Sequence, residues 1–527
     1  MQLLADVLEQ TLIEPQCAKR WHSLFDLWSK TAATDQRQRV LDRLAVHELD
    51  DPRADVLRLT LLAWTSGDAR FVEAAAARTL GIAPLNPDRV AAFASFYSLQ
   101  ALQFQASRTE FVAALEVARL PAMAAHLAQS AVSTLPPAFT PRVPRTIERV
   151  AVVVPHIGNA MHTPTVLAVH QCELLARSGR EVRIYSCQEL WPPDMPLFHG
   201  CGGGANLPGP DGEHWQRALP QGVTMSVSDP RFSLRSRWLG LLPAVADFDP
   251  DVVLFVGLYS PLAGALHAVR PVVGLCTNAV PPLAPVDVWL SADEATCGTT
   301  REIWNGAFPD PLACFHPQRI KVTKGPFALK RSDIGLAQHA QVWVTVGFRL
   351  EQEVSAAWAT RMLETLARHP NAVWLLVGCN NGVAPTSLQR APPGRVVALA
   401  PRPDVPAILS LCDVYVNPPR IGGGFSVLEA MASGLPIVSF ANSDGGDKVG
   451  DLAVADDDAY FRRIAELCAR PELRTAMGSR MRERFLRRFD LEGSGPRLLA
   501  ACELAANCAQ ERLSRSSGAI AATTASD

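Results

Sequence analysis

The stretch VYVNPPRIGGGFSVLEAMASGLPIVS, residues 414–439, decides the fold. A β-rich run, Val414–Val416, breaks at Pro418-Pro419, and three glycines follow, Gly422, Gly423 and Gly424. A helical pattern then sets Leu428, Met431 and Ala432 on one face and closes at Gly434 and Pro436. A second β run, Ile437–Phe440, comes at once. The order strand, glycine loop, helix, strand predicts a buried parallel crossover. Backbone N–H groups in such a loop can approach an anion, and the helix dipole favours negative charge there. Glu429 lies about one helical turn inside, within reach of the ribose hydroxyls of a nucleotide whose phosphates fill the loop. A plain crossover, in which the glycines serve only tight packing, is the alternative.

Working outward, the same alternation recurs. After Lys321–Lys330, strands are expected at Val342–Phe348, Ala372–Gly378, Val396–Ala400, Val414–Val416 and Ile437–Phe440. Helices are expected at Gln352–Arg368, Val405–Cys412, Ser426–Ser433, Ala459–Ala469 and Pro471–Phe489. Upstream, Val150–Pro155, Glu181–Cys187 and residues 251–257, 272–276 and 286–290 read as strands. A helix from Thr163 to Ser178, with Pro164 in its first turn, follows the first of them. Residues 192–222 are loop-rich and carry Gly202, Gly203 and Gly204. The fold class is therefore α/β, with two doubly wound Rossmann-like domains whose ligand sites lie outside the carboxyl ends of the strands.

Residues 1–145 have a different period. Apolar residues recur three and four apart in Leu3–Leu12, Trp21–Trp28, Val40–Leu49, Val56–Trp64, Val72–Leu80, Val90–Phe104 and Phe111–Leu127. Asp35, Asp51 and Asn86 suit helix starts, the last two before Pro52 and Pro87. The reading is an all-α domain over 1–145, a first α/β domain over 146–325, a second over 326–512 and a disordered tail over 513–527. Proline-rich Ser133–Thr146 is the expected linker.

Composition narrows the class. With 50 Lys and Arg against 52 Asp and Glu, bulk charge gives no nucleic-acid footprint. No apolar run reaches the length of a membrane span, and MQLLADVLEQ lacks the basic start of a signal peptide. The cysteines form no CxxC pair, which fits reduced thiols in a cytoplasmic protein. Asp456-Asp457-Asp458 precedes a helical pattern and reads as a cap with solvated charge rather than a metal site.

Glu429-Ala430-Met431-Ala432-Ser433-Gly434-Leu435-Pro436-Ile437-Val438 resembles the donor-binding element of GT-B glycosyltransferases, the large, mostly retaining group 1 family of bacterial sugar transferases. The Gly-x-Arg ending at Arg349 resembles a second element of that family. The resemblance covers roughly 150–490 and implies transfer from a nucleoside-diphosphate sugar to a glycan, lipid-linked or protein acceptor, with no metal and no resident cofactor. It implies donor contacts by Arg349, Arg420, Gly422, Gly423, Gly424, Phe425, Ser426 and Glu429. Two family residues are missing. The family's first acid falls on Ile421 and its lysine on Val354, for which Arg420 is the proposed substitute. Arg349 could instead pair with Glu351 or Glu353. Lys448, in SDGGDKVGD, could meet a phosphate or sit in a turn with solvated charges, and Asp404 suits a helix N-cap.

In the first α/β half, PHIGNAMHTPT (155–165) places His156 and His162 around a glycine turn. A neutral histidine there could act as a base or bind substrate. The string Gly158-Asn159-x-x-His162-x-Pro164-Thr165 resembles the Gly-Asn-His-Pro-Thr turn of O-GlcNAc transferases, with residues inserted. That likeness implies the alternative of an inverting cytosolic protein glycosyltransferase whose helical domain binds polypeptide. A nucleotide-sugar epimerase and a non-catalytic nucleotide-sugar binder are the other readings. Peripheral membrane association and pairing of two copies through the helical region are compatible with all of them.

Overall fold

The structure is a computed structural model and describes residues 2–31, 33–82, 86–104, 107–159, 162–190, 212–277, 280–292, 304, 306–319, 321–322 and 328–524. Gly202, Gly203 and Gly204 lie outside them. The chain forms two compact units, one of residues 1–100, 113–315 and 496–527, the other of 101–112 and 316–495.

The first unit contains the helical region and a seven-stranded sheet. Its helices begin as the sequence predicts. Asp51 Oδ1 accepts from Arg53 N–H with Pro52 behind it, and Asn86 Oδ1 accepts from Asp88 N–H ahead of Pro87–Phe104. Asp35 lies inside the first turn of Thr34–Val46 rather than at its cap. The pattern Phe111–Leu127 is two helices, Arg108–Val117 and Leu120–Val132, broken at Arg119, whose φ is 51°. No single helix among the described residues is long and apolar enough to cross a membrane.

The helical region is built into this unit. Leu120–Val132 packs on Pro261–His267 so closely that a Cβ on Gly264 would lie 2.4 Å from Ala128 Cβ. Ser95 and Tyr259 share a buried hydroxyl hydrogen bond. The expected linker is pinned as well. Arg142 donates to Asp249 and Asp251, and Asp251 accepts the N–H groups of Glu148 and Arg149.

The strands are β1 Arg149–Val153, β2 Glu181–Ser186, β3 Val223–Val227, β4 Val252–Val256, β5 Val272–Leu275, β6 Val288–Ser291 and β7 Leu312–Phe315. They run parallel in the order β3-β2-β1-β4-β5-β6-β7, so the winding reverses between β1 and β4. Strands β3 and β7, absent from the sequence reading, are short and partly exposed. The helix Leu234–Phe248 escaped because Pro243 interrupts its pattern.

The second unit holds β8 Gln341–Val346, β9 Ala372–Val377, β10 Val396–Leu399, β11 Val414–Val416 and β12 Ile437–Val438, parallel in the order β10-β9-β8-β11-β12. Successive residues of β8 feed opposite layers. Val342 and Val344 pack with Met431, Met481 and Phe485, whereas Trp343 packs with Trp358, Trp374 and Ile464. Each such buried apolar side chain stabilises the fold by about 1.5–3 kcal/mol before entropy is counted. The expected helix Gln352–Arg368 is a short turn Leu350–Glu353 and a helix Ala356–Arg368 capped by Ser355. SDGGDKVGD is not a solvated turn. Ser443 caps the helix Asp444–Val449, and Asp444 and Lys448 are buried.

The tail expected to be disordered is helical, with Gly495–Thr524 one continuous helix. Its sequence is alanine-rich and has no proline beyond Pro496 in the first turn, which favours helix, and Arg512 fastens it to Asp287 at 2.9 and 3.1 Å within the first unit.

Candidate active site

The winding of the second unit reverses between β8 and β11, so both loops that matter leave neighbouring strand ends. Gly423, at φ 87°, turns the chain into the helix Gly424–Ala432. A side chain is unfavourable there on backbone grounds. Gly423 at the N-cap makes no side-chain cap, and the first N–H groups of a helix have no partner within it. The Ser426 hydroxyl lies 2.9 Å from Gly423 O and 2.7 Å from Tyr415 Oη. Phe425 is half-buried against the layer that holds Met431.

Two arginines lie under the loop. A Cβ on Gly422 would sit 2.4 Å from Arg349 Nη2, and one on Gly423 2.4 Å from Arg420 Nε. The glycines are thus required by the arginines as well as by any ligand. Glu353 joins the pair. Its Oε1 accepts from Arg349 Nε at 3.1 Å and Nη2 at 3.0 Å, and its Oε2 from Arg420 Nη1 at 2.5 Å. Burial alone would raise Glu353, but the charges and hydrogen bonds of Arg420 and Arg349 outweigh it and hold the carboxyl below its usual range.

The arginines differ in exposure. Arg420 is only 3% exposed and also donates to Asn417 Oδ1, Val346 O and Tyr415 Oη. Expected on the diphosphate, it instead braces the glycine loop from below. Arg349 keeps a fifth of its side chain exposed and a single carboxylate partner.

Glu429 is half-buried on the glycine-loop helix, and no protein hydrogen bond to its carboxylate is found among the described residues. Burial pushes it up to about 7. Lys448 packs beside the helix start, its Cε 3.6 Å from the position of a Cβ on Gly424. Asp404 stands at the start of Val405–Leu409 but gives its carboxylate to Arg402, not to the helix. Asp456 caps Asp457–Ala469, and Asp457 and Asp458 pair with Arg361.

In the first unit, His156 and His162 flank the turn after β1, with rings 5.0 Å apart and nearly perpendicular. His156 is buried, its Nδ1 2.8 Å from Gln188 Oε1. His162 Nδ1 is 2.7 Å from Thr165 Oγ1. Burial, and then the neighbouring His156, pushes His162 down to about 3, so it is neutral at working pH. Trp215 Nε1 donates to Gly158 O at 2.7 Å and fixes the turn. A Cβ on Gly158 would lie 2.5 Å from His162 Cγ, so only glycine lets that ring fold across.

Residues 340–470 match the family described as glycosyl transferases, group 1. The matched stretch lies wholly within the second unit. No curated protein matches this sequence. Among solved structures it is similar to a mutant Thermobaculum terrenum O-GlcNAc transferase, with 15% identity, 97% of this chain and 99% of the other covered, and a TM-score of 0.49. It is similar to WaaG, a glycosyltransferase of lipopolysaccharide biosynthesis, with 14% identity, 67% and 99% covered, and a TM-score of 0.43. The glycosyltransferase SnogD from Streptomyces nogalater gives 15% identity, 68% and 100% covered, and 0.41.

The two departures from the group 1 pattern fall on core positions. Val354 and Ile421 are both buried at 1% exposure, so neither position could present a charge to a ligand without rearrangement. Sequence reading missed Glu353 as the bridge between two arginines. The reading offered Glu353 as a partner of Arg349, which the structure shows, but nothing local pointed to Arg420, 67 residues away. Gln188 and Glu189, buried at the end of β2, were also missed.

Proposed function

We propose that this glycosyltransferase moves a sugar from a nucleoside-diphosphate sugar to an acceptor hydroxyl of a glycan, lipid-linked or protein substrate. The observation that carries this is Glu429. A half-buried carboxylate without a protein hydrogen bond among the described residues, one turn into a glycine-loop helix whose N-cap makes no side-chain cap, suits ribose hydroxyls beside a diphosphate. The helix N–H groups and Arg349 meet the charge that grows on the leaving diphosphate, work that elsewhere falls to a metal ion. His156 and His162 serve the acceptor as base and hydrogen-bonding partner.

Two observations support inversion over retention. The acid that touches the transferred sugar in retaining relatives is a buried isoleucine here, and His156 offers a base for direct displacement. Free thiols, Cys172 and Cys379 among them, suit a reducing compartment such as the cytoplasm.

The test is a thermal-shift panel of UDP, GDP, ADP, CMP and dTDP, without added metal, on wild type, Arg349→Ala and Glu429→Ala. One nucleotide at a hundred times its Kd should stabilise wild type by about 2.7 kcal/mol and both variants much less. A panel without response, or variants that respond like wild type, would refute the donor site.

A further inference from the structure

Strand β2 of the first unit ends in a turn that the backbone alone does not favour. Gln188 has φ 53°, a left-handed conformation that a non-glycine residue adopts only when its surroundings impose it. Ser186 Oγ accepts Gln188 N–H at 3.2 Å, and buried Arg237 donates to Gln188 O at 2.8 Å. This φ ends the alternation of the strand, so Gln188 and Glu189 need not point to opposite faces. Gln188 reaches the loop after β1, where its Oε1 accepts Ile157 N–H at 3.1 Å. Glu189 reaches the loop after β4, where its Oε1 accepts from Ser260 Oγ. Strands β1 and β4 are neighbours, and the winding of this sheet reverses between them. Ligands of open α/β sheets bind outside the carboxyl ends of the strands at such a reversal.

Each side chain is anchored by one atom and leaves the other unused. The bond from Ile157 N–H identifies the oxygen of the Gln188 carboxamide, so its unanchored end is the nitrogen, which carries two hydrogens to donate. Ser260 gives its proton to Glu189 Oε1 and accepts Ala263 N–H at 3.3 Å, so it offers nothing to Oε2. Among the described residues Gln188 Nε2 and Glu189 Oε2 have no hydrogen-bond partner, and both residues are wholly buried. Buried polar atoms are nearly always satisfied, and leaving one unsatisfied costs stability. Here a donor and an acceptor are left so on successive residues, at the reversal of the sheet, on a backbone held in a left-handed turn.

We propose that Gln188 and Glu189 form a binding site for the hydroxyl groups of a sugar or similar polyol, with Gln188 Nε2 donating to a hydroxyl oxygen and Glu189 Oε2 accepting a hydroxyl proton. The chemistry of the pair selects this class. A hydroxyl both donates and accepts, which matches one unused atom of each kind. An anion has no hydrogen for Glu189 Oε2, and an ammonium has no lone pair for the Gln188 N–H groups. An apolar group would leave both atoms unsatisfied. The site lies wholly in the first unit and stands without the transfer reading. Only the naming of its ligand as the acceptor rests on that reading.

The test is a ligand-observed NMR titration of the full chain. The probes are the methyl glycosides of glucose, galactose, mannose and N-acetylglucosamine, with tetrahydropyran as the same ring without hydroxyls. Wild type should bind at least one glycoside and not tetrahydropyran. Glu189→Gln turns the unused acceptor into a donor, and Gln188→Glu turns the unused donor into an acceptor, while each keeps its anchoring oxygen. Each single variant should weaken the Kd for that glycoside about tenfold or more. The double variant exchanges the donor and the acceptor and should recover most of the loss, which a purely structural role for the two residues does not predict. Three results overturn the proposal: a wild type that binds no glycoside or binds tetrahydropyran equally well, single variants that bind as wild type does, and a double variant no better than the singles. Circular dichroism reports folding, and either single variant decides if the other does not fold. A wild type that binds a glycoside but none of UDP, GDP, ADP, CMP and dTDP overturns the transfer reading instead and leaves this site standing.

Discussion

Replacing Glu353 by alanine should destabilise the second unit. The carboxylate is 4% exposed and is the only anion hydrogen-bonded to Arg420 among the described residues. Removing it leaves a guanidinium 3% exposed with neutral partners only, Asn417, Val346 O and Tyr415. Breaking a buried pair from one side costs about 3–5 kcal/mol, because the remaining charge stays desolvated. For a unit of this size, each kcal/mol lowers the melting temperature by about 2–4 °C, so a fall of roughly 6–20 °C is expected. Arg349→Ala is the control. It leaves Glu353 paired with Arg420 and removes a partly exposed partner, so a loss of about 1 kcal/mol is expected. A third variant, Glu353→Leu with Arg420→Met, removes both charges and should recover much of the loss. Urea and thermal unfolding, followed by circular dichroism without ligand, give the comparison. If Glu353→Ala melts within 2 °C of wild type, the cluster is not the brace that the geometry describes.

Three further outcomes follow from named groups. Glu429 keeps its proton up to about pH 7, whereas ribose hydroxyls prefer the carboxylate, so nucleotide affinity should rise between pH 6 and 8 and level off above. Isothermal titration across that range, with Glu429→Gln losing the slope, checks it. Gly423→Ala should lose nucleotide binding and at least about 1 kcal/mol of stability, because its φ is 87° and the new Cβ would press on Arg420. Thermal shift with and without nucleotide reads both. Glu189, buried with Ser260 Oγ on one oxygen and no hydrogen-bond partner found for the other among the described residues, is likewise pushed up to about 7 by burial. The folded state then holds a proton that the unfolded chain releases from about pH 4.5, so stability should fall by roughly 3 kcal/mol as pH rises from 4.5 to beyond 7. Glu189→Gln should flatten this component of the urea-denaturation profile.

The parts legible in the sequence are those with a local signature. Both parallel sheets follow from buried β runs alternating with helices, and the expected helix Ser426–Ser433 differs from the observed Gly424–Ala432 by two residues at its start and one at its end. Glu429 was legible because its helix position follows from spacing alone. Elements without a signature were lost: β3 and β7 are short and half-exposed, and Pro243 hides a helix that tolerates it. The tail failed for another reason. Small polar composition suggested disorder, but alanine favours helix, and Arg512 has a partner 225 residues away in Asp287. The same limit applies to the site. Arg420 was seen, but its role depends on Glu353, and His156 was seen without Gln188. Long-range pairing decides what a charged residue does, and no window of sequence contains it.

The exchange of charge for burial in the second unit constrains how the proposed site would work. The family's acid and lysine fall on Ile421 and Val354, both buried, which removes one negative and one positive group from the pattern. Glu353 then neutralises one of the two arginines that remain, so Arg349, Arg420 and Glu353 together present a single net positive charge. A diphosphate would therefore be met mainly by oriented N–H groups of the loop and by one partly exposed guanidinium, with Lys448 packed beside the helix start. Hydrogen bonds from a fixed backbone depend on geometry far more than a mobile cation does. On this reading the brace beneath the loop is part of the donor site's function. Changes to buried Arg420, Glu353 or Asn417 should weaken nucleotide binding through loop geometry, with a salt dependence close to wild type. Arg349→Ala should weaken it with a reduced salt dependence. Affinity for the best nucleotide at 50 and 500 mM salt separates the two classes, and a flattened salt response in Asn417→Ala would show that the brace acts through charge instead.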